Sequence, residues 1–396
     1  MSTEASSGRT HRISAVLREE ETVTPLELFF DLVFVLAITQ CTALMAHEPT
    51  WSGLAKGMLV LGVLWWCWVG YAWLTSVVDP EEDAVRIVIF GAMAALLVAA
   101  LCVPHAFGAT GLTFACAYAV VRVAHIALFL LASADNPKLR SSVVGLAGST
   151  AIGTGILIGA SFTDGLLQGG LWGLALVLDA GGPYFFGAEG WMLVPEHFAE
   201  RHGLIVLIAI GESIVAVGVG AEHGVGIGVV AAASAGTAVA AGLWWLYFDI
   251  VAIVAGRRLA AAEPGRSQNE MARDSYSYLH FPMVAGIVLV ALGMKTTLAD
   301  VDDPLDVVPA AALLGGAATY LLAHVAFRFR HVHTVNRRRL GLAVALVACI
   351  PIAVRVPALA TVAGLAAALA ILIVIETRGY GDSRSRVRHE MRHESS

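Results

Sequence analysis

The chain has few charged residues for its length. Asp, Glu, Lys and Arg make up 14% of its 396 residues, whereas soluble domains carry roughly 25%. Hydrophobic residues make up 58%, and the mean hydropathy is +0.75. This deficit of charge argues against the two or three soluble domains that the length would otherwise suggest, and it indicates a membrane protein.

Several signatures of chemistry are also missing. The sequence has no Walker loop, no HExxH and no Gly-x-Ser-x-Gly motif. The cysteines lie in apolar runs without CxxC or other ligand spacing, so we interpret them as buried small hydrophobes. They are Cys41, Cys67, Cys102, Cys116 and Cys349. We therefore expect no metal and no cofactor. Residues 1–22 are polar without an apolar core and cleavage site, so we expect no signal peptide.

Long apolar runs dominate the rest of the chain. A window of about 19 residues finds twelve candidate membrane spans. They are 24–46, 53–78, 84–104, 111–133, 141–162, 165–186, 203–221, 226–255, 275–298, 306–328, 338–354 and 357–377. The prediction is an all-α polytopic membrane protein, and an even number of spans places both termini on one side.

The basic residues give an independent test of this topology. With the N-terminus in the cytoplasm, 21 Lys and Arg residues fall in cytoplasmic segments and 3 in outer segments, and Arg122 lies within the fourth span. Such a division is typical of a correctly counted multi-pass protein. We predict a multi-pass membrane protein with both termini cytoplasmic and a basic tail at 378–396.

The two halves of the chain resemble each other at an offset of about 179 to 200 residues. The matches are Leu64-Trp65-Trp66 with Leu243-Trp244-Trp245, Ala124-His125 with Ala323-His324, Asn136 with Asn336, and Leu178-Asp179 with Ile375-Glu376. They predict two parallel six-helix repeats, 23–187 and 188–377, related by a pseudo-two-fold axis along the membrane normal. The second repeat would contain a cytoplasmic loop at 256–274.

Two acids lie where lipid would surround an ordinary helix. Thr24, Pro25 and Glu27 form a helix start with a capping box, and Asp31 follows one turn further inside. Glu212 lies about 13 Å along its helix from Gly203, near the bilayer midplane. Carboxylates at such depth are costly unless they face protein, water or a cation. We expect Asp31 and Glu212 to face a central cavity and take up protons or cations, or else to anchor interhelical ion pairs. Glu27 is a further candidate for the coupling role, although its capping of the helix already explains it.

Arg122 and His125 lie three residues apart on one helix face. A buried guanidinium needs a partner. The acids at similar depth are Asp31, Asp179 and Glu212, of which the sequence favours Asp31 or Glu212. This pairing would be a structural lock or a gating element. His125 and its repeat counterpart His324 would be hydrogen-bonded interior histidines or members of a proton relay.

Three further features of the sequence bear on the site. Gly181-Gly182-Pro183, after Asp179, indicates a broken helix or a plain helix end. Asp249 would belong to a cytoplasmic vestibule. A loop cluster before the seventh span would bind an anion or a metal, or be a solvated loop with a helix cap; its residues are His197, Glu200, Arg201 and His202.

Two motifs carry a family resemblance. They are Thr24-Pro25-Leu26-Glu27-Leu28-Phe29-Phe30-Asp31-Leu32-Val33-Phe34-Val35, and Glu196-His197-Phe198-Ala199-Glu200-Arg201-His202-Gly203-Leu204 continuing to Gly211-Glu212-Ser213. With Trp65-Trp66-Cys67-Trp68, they resemble the bacterial low-temperature-requirement A (LtrA) family over most of the chain. The resemblance implies an inner-membrane protein associated with growth in the cold and brings no defined activity. His202 stands where many relatives are expected to have Phe.

The first helix also resembles that of organellar potassium channels and their bacterial relatives. Those proteins carry Phe-Ser-Asp at this place and are built from six-helix repeats, whereas this chain has Phe30 in place of the Ser. The likeness implies a helix that lines a pore. Phe30 lacks the hydroxyl of the Ser that it replaces, so the carried-over pore role does not follow residue for residue.

Taken together, the residues predict a channel or a proton- or cation-coupled carrier. Asp31 and Glu212 would be the coupling carboxylates and Arg122 their counter-charge. The alternatives are an intramembrane enzyme that acts on a lipid or isoprenoid substrate, and a non-transporting stress-response subunit. We expect the lipid bilayer and a small ion or small molecule as partners, and no nucleic acid. The sequence leaves homo-oligomerisation open.

Overall fold

The computed structural model describes residues 22–185, 190–191, 193–220 and 226–379. Within these ranges the regular structure is helical, and an isolated β-bridge joins Pro304 to Pro357. The helices are α1 Pro25–His47, α2 Trp51–Val77, α3 Asp83–Cys102, α4 Gly111–Ala132, α5 Pro137–Ala160, α6 Gly165–Phe185, α7 Pro195–Gly220, α8 Ile227–Phe248, α9 Val251–Ala260, α10 Arg266–Met271, α11 His280–Ala299, α12 Val307–Val332, α13 Arg337–Ala348, α14 Ile350–Ala353 and α15 Ala358–Gly379. A π-helical segment, Ala272–Tyr278, joins α10 to α11.

Ten of the helical segments in the described ranges are long and apolar enough to cross a membrane. They are α1 to α5, α7, α8 with α9, α10 with α11, α12 and α15. The other two predicted spans also fold as helices, α6 and the interrupted pair α13 and α14, but they are not among the ten. The fold class is therefore confirmed as an all-helical, multi-pass membrane protein, and the count of twelve spans stays a prediction.

The helix starts follow the sequence signals. Thr24 caps α1: its hydroxyl accepts from the backbone N–H of Glu27 at 3.4 Å, and its own N–H donates to the Glu27 carboxylate at 2.9 Å. Pro25 occupies the first turn, so the predicted capping box is confirmed. Asn136 and Asn336 cap α5 and α13 through their side-chain oxygens. Each of these two matched residues therefore caps the start of a helix in its half of the chain.

Helices α1 and α7 pack against each other in the same direction. Their polar contacts, in chain order, are Glu27 with His197, Asp31 with Arg201, and Thr39 with Glu212. Because the residue numbers rise together on both helices, the two helices run parallel. Asp31 and Glu212 are 0% and 2% exposed, so the prediction that both face protein rather than lipid is confirmed.

Helices α11 and α12 cross closely at two glycines. A Cβ atom on Gly316 would lie 2.7 Å from the carbonyl oxygen of Gly286, and a Cβ on Gly286 would lie 2.6 Å from the carbonyl oxygen of Gly316. Small residues of this kind let helix backbones approach in a membrane. The crossing holds α11 in the interior, where it also contacts α1, α2 and α7.

Helix α6 continues through Gly181-Gly182-Pro183 and ends at Phe185. The described part of α6 is therefore unbroken at these three residues, which argues against the broken helix. Residues 186–189 lie outside the described part of the chain.

Candidate functional site

Four charged or titratable side chains meet between α1 and α7. Arg201 Nη2 lies 2.9 Å from Asp31 Oδ1, and Arg201 Nη1 lies 3.3 Å from Glu27 Oε1. His197 Nε2 lies 2.9 Å from the same Glu27 oxygen. All four side chains are almost fully buried. We call Glu27, Asp31, His197 and Arg201 the α1–α7 charge cluster.

Helix α2 completes this cluster. Trp68 donates its indole N–H to Asp31 Oδ1 at 2.8 Å, and the Arg201 guanidinium lies 5.6 Å from the centre of a Trp68 ring. Ser76 Oγ lies 3.1 Å from His197 Nδ1. Each carboxylate therefore has a fixed partner, which is how a buried charge is kept at acceptable cost.

The cluster corrects the predicted loop at His197, Glu200 and Arg201. All three residues lie in the first two turns of α7, which begins at Pro195. His197 and Arg201 are four residues apart and point into the protein, whereas Glu200 is exposed and accepts from the backbone N–H of Val23 at 3.1 Å. The solvated loop was wrong because the helix starts about two turns before the apolar run.

Glu212 is the second acid of the α1–α7 interface, and its surroundings differ from those of Asp31. Its carboxylate accepts from the Thr39 hydroxyl at 2.5 Å. In the described part of the chain no basic side chain forms an ion pair with it, and Lys295 of α11 acts on it only as a nearby charge. The neighbouring Ser213 hydroxyl is buried and has no hydrogen-bond partner there. Glu212 is thus a deep carboxylate without a paired cation.

Arg122 has a different partner from the two that the sequence favours. Its Nη2 lies 2.8 Å from Asp179 Oδ1, and the Thr150 hydroxyl bridges the pair at 2.7 and 2.8 Å. Tyr118 donates to the other Asp179 oxygen at 2.7 Å. Asp179 was in the predicted set, but the preference for Asp31 or Glu212 was wrong. The reason is that α4, α5 and α6 pack side by side within the first half, which brings Asp179 to Arg122.

The matched histidines His125 and His324 are buried among aromatic rings. His125 lies 5.5 Å from the Tyr71 ring and 5.0 Å from the Phe129 ring, and a Cβ atom on Gly70 would lie 3.0 Å from its imidazole. His324 lies 4.5 Å from the Tyr320 ring, and neither of its ring nitrogens has a hydrogen-bond partner in the described residues. The same holds for both ring nitrogens of His125, so for neither histidine does the geometry match the hydrogen-bonded interior histidine that the sequence favoured.

His202 is also part of an aromatic cluster. Its Nδ1 lies 2.8 Å from the carbonyl oxygen of Phe198, and its ring meets the edges of Trp68 and Tyr276 at 5.0 and 5.2 Å. Asp249, the remaining predicted residue, lines a cavity of about 350 Å³ in the second half together with His324. The structure thus brings Glu27, Asp31, His197 and Arg201 together in one cluster. It pairs Arg122 with Asp179 and places Asp249 and His324 at one cavity, both away from that cluster.

Several partners were missed by sequence reasoning. Trp68, Ser76 and Thr150 each hold one of the buried charges. A signal was available for the α1–α7 charge cluster: Glu27 and Asp31 have the same four-residue spacing as His197 and Arg201, so each pair occupies one helix face.

The fold and these buried polar contacts define a multi-pass helical membrane protein whose two halves meet at charged side chains. The family model described as "Bacterial low temperature requirement A protein (LtrA)" matches residues 22–374. The chain belongs to this family, which confirms the resemblance carried by the two motifs. It is similar to an uncharacterized protein of Rhizobium meliloti (strain 1021), with 32% identity over 289 residues that cover 69% of each chain. No solved structure matches the chain.

Proposed function

We propose that the protein is a bacterial inner-membrane transport protein, a channel or a coupled carrier, that moves a cation or a proton along the α1–α7 interface. In this proposal Glu212 is the coupling carboxylate. The interface is the boundary between two six-helix repeats, 23–187 and 188–377.

Matching helix neighbours support the two repeats. In the first half α1 packs on α2, α3 on α4 and α2 on α6. In the second half α7 packs on α8, α11 on α12 and α8 on α15, which are the pairs that the sequence offset would match. The parallel direction of α1 and α7 agrees with repeats of the same orientation. Such repeats place their equivalent first helices at a shared central interface.

Twelve crossings with both termini in the cytoplasm fit the same proposal. Helix α6 has 21 residues, a length of about 31 Å, which is enough to cross the hydrocarbon core. The division of 21 cytoplasmic against 3 outer basic residues supports this topology. Reporter fusions after Lys138 and after Asn336 should both report the cytoplasm. A periplasmic signal from either fusion would contradict the parallel repeats.

The proposal rests on one observation: Glu212 is buried and has no ion-pair partner among the described residues. An acid at this depth without an ion-pair partner is costly unless it binds a proton or a cation in operation. The Thr39 hydroxyl contacts it across the interface of the two halves, and a hydroxyl can serve a bound cation as an oxygen ligand. Glu212 can therefore exchange its bound ion without breaking an ion pair.

The other buried charges have a holding role in this proposal. Arg201 binds both Glu27 and Asp31, so the α1–α7 charge cluster fastens the first helix of one repeat to that of the other. The pair of Arg122 and Asp179 fastens α4 to α6 inside the first repeat. Arg122 is therefore not the counter-charge of the coupling acid.

An intramembrane enzyme has less support. Its acid and base would have to converge on one substrate, whereas Thr39, the contact of Glu212, lies about 12 Å along α1 from Asp31. Asp31 is also engaged by both Arg201 and Trp68.

Ion flux into liposomes tests the proposal. Purified protein is reconstituted, and the uptake of H⁺, K⁺ and Na⁺ is compared with that of protein-free liposomes. We expect wild type to raise the flux of one of these ions and Glu212→Gln to remove most of that increase, because the amide cannot exchange a charge. Asp31→Asn should retain flux in proportion to the folded protein.

Glu48→Gln is the matched control for Glu212→Gln. Glu48 follows α1, is partly exposed and pairs with Lys56 at 3.0 Å. The hydrogen bond from Lys56 lowers the pKa of the Glu48 carboxyl, so this control also removes an ionised acid. It should leave flux unchanged. Wild-type flux equal to that of protein-free liposomes for all three ions would contradict the proposal.

A further inference from the structure

A second polar site lies in the second half, away from the α1–α7 interface. A cavity of about 350 Å³ opens between α8, α9, α12, α13 and α15. Its volume is within the usual range of small-molecule sites, which begins at about 300 Å³. Asp249 and Ile250, where α8 ends and α9 begins, form part of its wall, so the interruption between these helices helps to create the space.

Two histidines of α12 line this cavity without hydrogen-bond partners. His324 and His331 are 1% and 5% exposed, and none of their four ring nitrogens has a partner in the described residues. They are seven residues apart, and two helical turns place them on one face about 10 Å from each other. Buried polar groups are normally satisfied. The nitrogens are closed to water as the rings stand, so a ligand binds them only once an imidazole turns toward the cavity. Two imidazoles without partners among the described residues, in the wall of one cavity, point to such an occupant.

The charges in the wall cancel. Two basic residues, Arg328 and Arg339, are matched in number by two acids, Asp249 and Glu376. Arg339 donates to Glu376 from Nε and Nη2, at 3.0 and 2.8 Å. A neutral imidazole offers one donor and one acceptor. The lining therefore carries no net charge, and the two imidazoles, each a donor and an acceptor when neutral, favour an uncharged ligand with hydroxyl or amide groups.

The remaining wall is apolar. Trp245, Phe327 and Ile373 line the cavity beside the two histidines. We propose that this cavity is a binding site for a small uncharged molecule with an apolar, ring-sized body and a hydrogen-bonding group that reaches His324 or His331. The site is separate from the α1–α7 interface and does not depend on the proposed transport role.

The matched place in the first half is filled by the protein itself. His125, the counterpart of His324, lines a cavity of only about 50 Å³, closed in by Trp66, Trp73 and Phe129. In the first half, aromatic rings of the protein thus fill the space that stays open in the second half. His125 therefore provides a matched control for His324.

Fluorine NMR with four probes that share a fluorophenyl ring tests the proposal. The probes are para-fluorophenol, fluorobenzene, para-fluorobenzoate and para-fluorobenzylammonium, each titrated into the purified full chain in detergent, with empty micelles as reference. We expect saturable line broadening by para-fluorophenol with a Kd about fivefold below that of fluorobenzene, the effect of one net hydrogen bond. The two charged probes should bind more weakly than para-fluorophenol.

Variants locate the binding. His324→Phe and His331→Phe should together bring para-fluorophenol to the Kd of fluorobenzene, whereas His125→Phe should leave it unchanged. Ala255→Leu adds volume to the cavity wall without altering either imidazole and should weaken both neutral probes. If the phenylalanine variants do not fold, His324→Gln with His331→Gln provides the comparison, because these amides keep a donor and should retain the preference for the phenol.

Three results would overturn the proposal. The first is tightest binding by either charged probe. The second is equal binding of para-fluorophenol and fluorobenzene, or no saturable binding of any probe. The third is a loss of para-fluorophenol binding in His125→Phe as large as that in His324→Phe.

Discussion

Removal of Arg201 should strongly destabilise the protein, because it leaves two buried carboxylates without their shared cation. Glu27 and Asp31 are 2% and 0% exposed, so water cannot replace the guanidinium. Arg201→Gln keeps a side chain of similar reach and hydrogen-bonding ability but removes the charge. Its effect therefore reports mainly on the ion pairs.

The distances within the ion pairs set the expected loss of stability in Arg201→Gln. At 2.9 and 3.3 Å, each pair gains roughly 5–6 kcal/mol of Coulomb energy at an effective dielectric constant of about 20. Desolvation of the three groups opposes most of this gain, and the loss of one partner from a buried pair typically costs about 3–5 kcal/mol. We expect Arg201→Gln to lower the free energy of unfolding by about this amount. Adding Asp31→Asn should restore about 1–3 kcal/mol relative to additivity.

Equilibrium unfolding in mixed micelles, followed by circular dichroism, measures these quantities. The four proteins of the cycle are wild type, Arg201→Gln, Asp31→Asn and the double variant. Strict additivity of the two single changes would refute the ion pair as a source of stability. Arg201→Gln with wild-type stability would refute the larger idea that this cluster fastens α1 to α7.

Two further predictions concern packing inside one half of the protein. Arg122→Gln and Asp179→Asn should be non-additive in detergent melting, whereas Arg122→Gln and Glu212→Gln should be additive, because Arg122 forms its ion pair with Asp179 and not with Glu212. Gly316→Ala should cost about 1–3 kcal/mol in the same assay, since its Cβ would lie 2.7 Å from a backbone oxygen of α11. Gly315→Ala, on the same helix, meets no atom within 4 Å and should be neutral or slightly stabilising; equal effects of the two alanines would contradict the close crossing.

Local features of the fold were readable from the sequence. The capping box at Thr24 and Glu27 depends on residues three apart, and it formed as expected. The burial of Asp31 and Glu212 followed from the cost of a carboxylate in hydrocarbon, which holds whatever its partner is.

Partners between distant helices were not readable in the same way. The spacing of Arg122 and His125 sets a helix face, but which helix lies against that face depends on the packing of the whole bundle. For Arg122 the matched first helices suggested Asp31 or Glu212, whereas the neighbouring helix α6 supplied Asp179. His197 and Arg201 were assigned to a loop because hydropathy marks the apolar part of a helix, and α7 begins with a polar first turn at Pro195 and Glu196.

The most direct test of the central claim compares Glu212→Gln with Glu212→Asp in liposomes of matched protein content. The claim is that this acid exchanges its charge during transport, so a shorter acid should keep part of the function and an amide should not. We expect the initial rate of the transported ion to fall at least about tenfold in Glu212→Gln, a loss of about 1.4 kcal/mol of stabilisation along the path, with Glu212→Asp in between. Wild-type rates in Glu212→Gln would contradict the claim and leave Glu212 as a structural residue.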